Sequence, residues 1–471
     1  MDALPEGFGL VLDPSVRRFR HGTVLAGGRP GRILTLTPDG SRALDTLVGG
    51  GPADAGTRTL AGRLVAGGMA HPRRPTVTDA VSDVAPVTVV VPVRDRVDAL
   101  DRCLASLGRD VPVIVVDDAS VDADGVAAAC HRHGARLIRR TANGGPGAAR
   151  NSATTSVGTE LVAFLDSDCT VPDGWLDELV WQFSDPGIGG VAPRVRPSPV
   201  PPERRCAVHR FGLAHSPLDL GPDQGEVGPD RAVRYVPTAA LVVRRSALEE
   251  VGGFDPTLRI GEDVDLVWRL VGAGWRIRYD PSVQVSHREP DRWPDLLARR
   301  FHYGTSAAAL ADRHPGSLAP VELRPRATVA AVALLAGRPV AAAAAVASSA
   351  VPLARTVRPS GIPAAQAWRW SAAGAGWTVM GLGRAATMLA APGLVALAAT
   401  GRRGRRAAMA LVLVPPIVDW VRQRPDLDLP RWVAASVADD MAYGAGVWIG
   451  CLRARSASAL LPAIVRTPDE S

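Results

Sequence analysis

The sequence predicts an α/β protein built on an open, mostly parallel sheet, with a small α+β segment of winged-helix type ahead of it and an apolar helical region behind. Three observations carry that prediction. Two runs, Val87 to Val93 and Val111 to Val116, are too continuously apolar and β-branched for half-exposed strands and read as strands buried on both faces. A helical stretch from Asp98 to Leu107 separates them, which makes a βαβ unit. A third apolar run, Phe164-Leu165-Asp166-Ser167-Asp168, adds a strand whose end carries two carboxylates. The chain of 471 residues is 46% hydrophobic and 21% charged, a globular composition. Its expected domains cover residues 1–80, 85–315 and 320–471.

The front segment reads as a β-hairpin from Thr23 into a capped helix, Ser41 to Leu47, followed by a short helix from Thr57 to Ala66. Pro72 to Pro86 serves as linker. Such an arrangement also occurs in DNA-binding winged helices. Here the arginines are dispersed rather than gathered into a stripe, so nucleic acid is not an expected partner.

The core segment concentrates chemistry at strand ends. Side chains alternate along a strand, so Asp166 and Asp168 point the same way, and two like charges that close call for a cation. Carboxylate oxygens suit Mg2+ or Mn2+, ions that also hold a substrate diphosphate. The first strand stops at Pro92 and Arg94, and the second at Asp117 and Asp118. In open parallel sheets ligands lie beyond the carboxyl ends of the strands, where all these residues fall.

Between the second strand and the paired aspartates, Asn143-Gly-Gly-Pro-Gly147-Ala-Ala-Arg150-Asn151 forms a glycine-rich turn into a helix. Gly147 and Arg150 are expected to face a phosphate. The loop is not of the lysine-containing nucleotide-triphosphate type, because every one of the 54 basic residues is arginine. Nor does it have the spacing of a dinucleotide fingerprint. Far downstream, Gly261-Glu262-Asp263-Val-Asp265 opens an amphipathic helix whose dipole supports negative charge. A carboxylate on such a helix tip, facing a metal-diphosphate site, is placed to act as general base toward an acceptor hydroxyl. His287 ends a later predicted strand and is a further candidate metal or phosphate contact.

Taken in order, V-V-V-P-V-R-D, V-V-D-D-A-S, N-G-G-P-G-A-A-R-N, L-D-S-D, G-G-F-D and G-E-D-V-D-L resemble the inverting family 2 glycosyltransferases of GT-A fold, over Val87 to about His287. The resemblance implies a nucleotide-sugar donor whose base meets Asp117 or Asp118, while Pro92, Arg94, Gly147 and Arg150 complete the donor site. It implies that Asp166 and Asp168 hold the ribose and the metal-diphosphate, and that Asp263, beside Glu262, is the catalytic base. The implied reaction is a single displacement that turns an α-linked nucleotide sugar into a β-glycoside. Processive relatives carry Q-x-x-R-W, whereas this chain has Ala298-Arg299-Arg300-Phe301-His302-Tyr303-Gly304, with Arg300 or an aromatic as the stand-in. An acceptor-elongating transferase is expected rather than a long-chain synthase.

The front segment resembles the PqqD-type peptide-recognition domain, which pairs a peptide strand with an exposed sheet edge. That front, the family 2 core with R-R-F-H-Y-G-T, and the alanine-rich tail together resemble the glycosyltransferase family of the mycofactocin pathway. For that family the acceptor is premycofactocin, a redox cofactor made from a ribosomal peptide, and the product a β-1,4-linked glucose chain built from UDP-glucose. Two other readings are open: a transferase for a cell-envelope glycan or glycolipid, and a peptide-binding module with a vestigial core.

In the tail, Ala327 to Leu353, Trp370 to Thr400, Ala407 to Val418 and Met441 to Val465 are strongly apolar, yet Arg338, Arg384 and Arg453 interrupt three of them. None passes cleanly as a span. Buried helices of a soluble domain compete with a membrane-associated region, and the basic cluster Arg402, Arg403, Arg405 and Arg406 favours the membrane and its anionic lipid. The expected location is the cytoplasmic face, where nucleotide sugars are made. The net charge of +7 suits acidic headgroups or an anionic donor. Five cysteines without a paired spacing imply a reducing compartment and no zinc, and Met1-Asp-Ala-Leu-Pro-Glu does not begin a signal peptide.

Overall fold

A computed structural model describes residues 3–75 and 85–465. Most of the expected linker therefore lies outside the described residues. The chain divides into two compact units, one formed by Met1–Pro199 with Ser216–Glu289, the other by Val200–His215 with Pro290–Ser471.

The first unit opens with β1 (Gly9–Leu12), β2 (Arg17–Phe19), β3 (Val24–Gly27), β4 (Arg32–Thr35), α1 (Pro38–Val48), α2 (Arg58–Ala66) and β5 (Ala70–Arg73). The expected hairpin is β3 with β4, and β2 extends it into a three-stranded antiparallel sheet. β1 and β5 form a second pair that the sequence reading did not foresee. Helix α1 begins earlier than expected. Thr37 caps it through a hydroxyl that accepts from Gly40 N at 3.0 Å, and Pro38 supplies a preset first turn, so Ser41 sits inside the helix as a buried residue. Leu10, Leu25, Leu44, Leu47 and Leu64 fill the core beneath these elements, and Trp181 joins it with its ring centroid 5.3 Å from Phe8.

The sheet that carries the site follows. Its first half is β6 (Val87–Val93), α3 (Val97–Leu107), β7 (Val113–Asp117), α4 (Ala123–His133), β8 (Arg136–Arg139), α5 (Pro146–Thr154) and β9 (Leu161–Leu165). Then come β10 (Cys169–Thr170), α6 (Asp177–Val180), β11 (Ile188–Pro197), β12 (Gly225–Val227), β13 (Ala240–Arg244), α8 (Arg245–Glu250), α9 (Glu262–Gly272) and β14 (Arg276–His287). The nine strands run β10-β14-β11-β13-β9-β6-β7-β8, with β12 on β14. β6, β7, β8 and β9 are mutually parallel, which brings the ends of β6, β7 and β9 to one edge. β13 runs antiparallel to β9, so the sheet is mixed. The central strands are buried on both faces, as their unbroken valines require: Val89, Val90, Val91, Val115 and Val116 are fully enclosed.

The second unit is helical. It contains α7 (Ala207–His215) from the middle of the chain, then Trp293–Thr305, Ala307–Arg313, Pro325–Leu335, Pro339–Val357, Ala364–Leu389, Ala391–Ala399, Arg402–Gln423 and Leu429–Ala454. Trp432 is fully buried against Phe211 and Leu296. Arg300 is engaged inside this unit: its Nε lies 2.8 Å from Asp439 and its guanidinium stacks 5.1 Å from the Tyr443 ring.

The expectation that no tail segment passes as a span is corrected by where the helices break. Gly337 has φ +69° and Arg338 occupies the N-cap, so this arginine stands ahead of the apolar helix rather than inside it, and the first charge within that helix is Arg355 in its last turn. Among the described residues, Pro339–Ser360 is the one helix long and apolar enough to cross a membrane, and Ala364–Leu389 with Ala391–Ala399 forms a pair bent by 105°. Arg384 meets Asp419 at 2.6 Å rather than standing alone.

Candidate active site

At the edge where β6, β7 and β9 end, a cavity of about 510 Å³ is lined by Pro92, Arg94, Asp118, Asp166 and Asp168, together with Arg96, Asn143, Gly145 and Arg259. The two aspartates at the end of β7 part company here. Asp117 is fully buried, accepting from Ser120 N at 2.8 Å and ion-paired with Arg139. Asp118 faces the cavity, where its carboxylate accepts from Gly144 N at 3.0 Å and Gly145 N at 2.8 Å. Of the alternatives left open by the sequence, Asp118 is the one at the cavity wall. Asp117 props the loop behind it.

The glycine-rich turn also divides its labour differently from the expectation. Gly145, with φ +88°, and Pro146 line the cavity at the start of α5. Gly147 does not. A Cβ there would sit 3.2 Å from Phe254 Cβ and 3.3 Å from Glu262 Cγ, so this glycine permits the close approach of α5 to the first turn of α9. Arg150 is corrected in the same sense. It is 2% exposed, donates to Asp166 Oδ1 at 2.6 Å and to Glu262 Oε1 at 3.1 Å, and lies 5.3 Å from the Phe254 ring. Both arms of its guanidinium are committed to carboxylates, which makes it a buried tie between β9 and α9 rather than a phosphate contact.

Glu262 and Asp263 open α9 as expected, with Gly261 as the N-cap. Burial, then the charge of Asp263, push the Glu262 carboxyl up to about 7 against the opposing pull of Arg150. Burial likewise raises Asp263, while a 2.8 Å bond from Val264 N and the Arg150 charge oppose the shift. Burial also acts against charge on Arg150, but Asp166 and Glu262 outweigh it and hold the guanidinium protonated.

Asp168 is ion-paired with Arg96, and His287 Nε2 lies 3.6 Å from its Oδ1. The antiparallel register of β10 and β14 places Cys169 opposite His287 and so fixes this neighbourhood. Behind the imidazole, Nδ1 lies 3.5 Å from Glu289, which accepts from the Ser216 hydroxyl at 2.7 Å. Among the described residues no three acidic, histidine or cysteine side chains converge as a metal cage. The Asp168 carboxylate is a hard oxygen donor and the His287 imidazole a borderline nitrogen donor, a pair that fits Mn2+, or Mg2+ through the carboxylate, when phosphate and water supply most of the coordination. Arg96, Asn143, Arg259 and Glu289 were not foreseen. Arg96 and Glu289 each lie two residues from a predicted site residue, and that spacing was the available signal.

The sequence profile described as "Glycosyl transferase family 2" matches residues 88–252. The chain is 37% identical over 481 residues to the "Pre-mycofactocin glycosyltransferase" of Mycobacterium tuberculosis strain H37Rv, covering 98% of each chain. It is 32% identical over 271 residues to the "N-acetylglucosaminyl-diphospho-decaprenol L-rhamnosyltransferase" of the same strain, covering 50% of this chain and 87% of that one. Among solved structures, the mannosyltransferase PcManGT from Pyrobaculum calidifontis, in complex with GDP-Man and Mn2+, aligns at 19% identity and TM-score 0.42 over 77% of this chain and 88% of that one. The mixed sheet, the family 2 profile over its core and the relative matched from end to end agree: this chain is a GT-A glycosyltransferase and belongs to the pre-mycofactocin glycosyltransferase family within family 2.

Proposed function

We propose that the protein transfers glucose from UDP-glucose, with inversion, onto premycofactocin, a peptide-derived redox cofactor, and extends it as a β-1,4-linked chain. The observation that carries the mechanism is the buried Arg150, which ties cavity-lining Asp166 to Glu262 at the tip of α9, beside Asp263. Asp263 takes the acceptor hydroxyl proton as the oxygen attacks the anomeric carbon. The bond from that carbon to the diphosphate breaks on the opposite face, UDP departs, and an α-linked donor becomes a β-glycoside. Asp118 reads the nucleotide base, Pro92 and Arg94 flank it, and Asp166 meets the ribose. Asp168 and His287 would hold a Mg2+ or Mn2+ ion, which would supply positive charge to the departing diphosphate. Asp263→Asn is expected to lower turnover by at least ~10²-fold, the scale of general-base removal, while nucleotide-sugar binding persists. Near-normal turnover removes Asp263 from the mechanism, and an α-anomer in the product ends the inverting assignment.

The same reading assigns residues 1–80 to a PqqD-like domain that positions the peptide-derived acceptor, 85–315 to catalysis and 320–471 to attachment at the cytoplasmic face of the membrane. Support for attachment comes from the apolar helix Pro339–Ser360 and from exposed Val340, Val395 and Trp377, at 82%, 72% and 60%. The exposed cluster Arg402, Arg403, Arg405 and Arg406 begins the next helix, as suits anionic lipid. A cell-envelope glycolipid is the second reading, favoured by this apolar surface. A change in envelope glycan on gene deletion, with the cofactor unaltered, would select it.

A further inference from the structure

The mechanism above uses His287 and leaves unexplained the carboxylate behind it. Glu289 is enclosed, its side chain 8% exposed, and it is held from one side by the Ser216 hydroxyl at 2.7 Å. Leu218 N in turn donates to Ser216 Oγ at 3.3 Å, which fixes the hydroxyl from the loop. On its other side Glu289 Oε1 lies 3.5 Å from His287 Nδ1, an ion-pair separation at which no hydrogen bond joins the two, while Nε2 of the same ring lies 3.6 Å from Asp168 Oδ1. The backbone pins both ends of the array: Ser198 N donates to His287 O at 2.7 Å, and Arg288 N donates to Asp168 O at 3.1 Å. A carboxylate at one ring nitrogen settles the tautomer and the ring orientation, leaving the other nitrogen as a lone-pair donor.

We infer that Glu289 is a positioning residue whose charge, steadied by Ser216 beside Nδ1, favours the His287 tautomer with Nδ1 protonated and the Nε2 lone pair presented beside Asp168, and that the Glu289 contact closes to a hydrogen bond when a divalent cation binds. The inference rests on the proposal that Asp168 and His287 bind that cation. It adds an outer carboxylate to the donor pair and extends the site by two residues contributed by the Ser216 loop and the segment after β14. A negative charge behind the ring also raises the basicity of the liganding nitrogen, so loss of Glu289 weakens metal binding without touching a metal ligand.

The test is Mn2+ affinity of the full-length protein, measured by electron paramagnetic resonance of the free ion with UDP present. Glu289→Ala is expected to weaken Mn2+ binding roughly 10- to 100-fold, the scale seen when such outer partners are removed. Glu289→Gln keeps an acceptor oxygen for the Nδ1 proton but loses the charge, so its affinity falls between the two. The metal-free melting temperature of the Gln variant stays that of the parent. His287→Ala separates the inference from its foundation. If His287→Ala binds Mn2+ as tightly as the parent, the donor-pair proposal fails and the inference with it. If His287→Ala weakens binding while both Glu289 variants bind like the parent, only the role of Glu289 is overturned. Should Glu289→Ala not fold, unaltered affinity in Glu289→Gln alone overturns it.

Discussion

Replacing Arg150 with methionine removes the one cation that two carboxylates share at the heart of the site while keeping much of the apolar stem. At 3.1 Å from Glu262 and at a pH above about 7, where that carboxylate is charged, an effective dielectric of 20 makes the lost attraction about 5 kcal/mol, before the desolvation that the guanidinium no longer suffers is set against it. The Asp166 contact is shorter, at 2.6 Å, but that side chain is 31% exposed and water compensates part of its loss. Glu262, with a side-chain exposure of 9%, has no such relief. Breaking a buried pair from one side costs about 3–5 kcal/mol, because the charge left behind is uncompensated. Hydrogen exchange along α9 and β9 reads the effect in the first unit alone, where global melting would mix two units. The expected result is a fall of about 3–5 kcal/mol in the opening free energy of these elements for Arg150→Met. Adding Glu262→Gln should recover at least about half, since the stranded carboxylate is then gone. Unchanged exchange in the single variant, or a double variant no better than the single one, refutes the idea that Arg150 is a charge tie.

Two further outcomes follow from the same geometry. Glu262 stands near 7 in the folded protein against 4.5 unfolded, so the folded state retains a proton that the unfolded chain releases. The stabilising effect is complete below about pH 4.5 and lost as pH rises through 7, a change of roughly 3 kcal/mol that Glu262→Gln should flatten in denaturant titrations at several pH values. At the mouth of the cavity, Asp118→Asn is expected to weaken UDP binding in calorimetry by about 10-fold, the scale of one charge-assisted hydrogen bond. Asp117→Asn should instead lower the melting temperature, because it strips a buried partner from Arg139. Reversal of these two phenotypes would restore Asp117 as the base-reading residue.

The sheet was legible because its central strands are valine runs that only burial on both faces explains, and because their ends carry Pro92, Asp118, Asp166 and Asp168, where parallel strands converge. Periodicity could not reveal which way α5 turns. Arg150 and Gly147 sit on its buried face, facing partners more than a hundred residues away, and no local pattern distinguishes that from a phosphate-facing position. The start of α1 was misplaced for a local reason: Thr37 followed by Pro38 is the stronger cap, four residues ahead of Ser41. In the tail, Arg338 looked like a charge inside a span because the sequence did not disclose that the chain turns at Gly337. Glu289 is not legible in the sequence, because a lone carboxylate after a strand carries no signal until β10 and β14 pair and bring Asp168 beside His287.

The proposed transfer of hexose from a nucleotide sugar to a peptide-derived cofactor can be observed directly. The direct measurement incubates the purified full-length protein with UDP-glucose, Mn2+ and premycofactocin isolated from a host lacking the gene, followed by mass spectrometry of the products. A ladder of hexose-sized additions, absent with Asp263→Asn and carrying β-anomeric signals by NMR, is the predicted result. If the parent protein leaves premycofactocin unmodified under these conditions yet glycosylates a lipid-linked acceptor from the same host, the proposed acceptor is wrong.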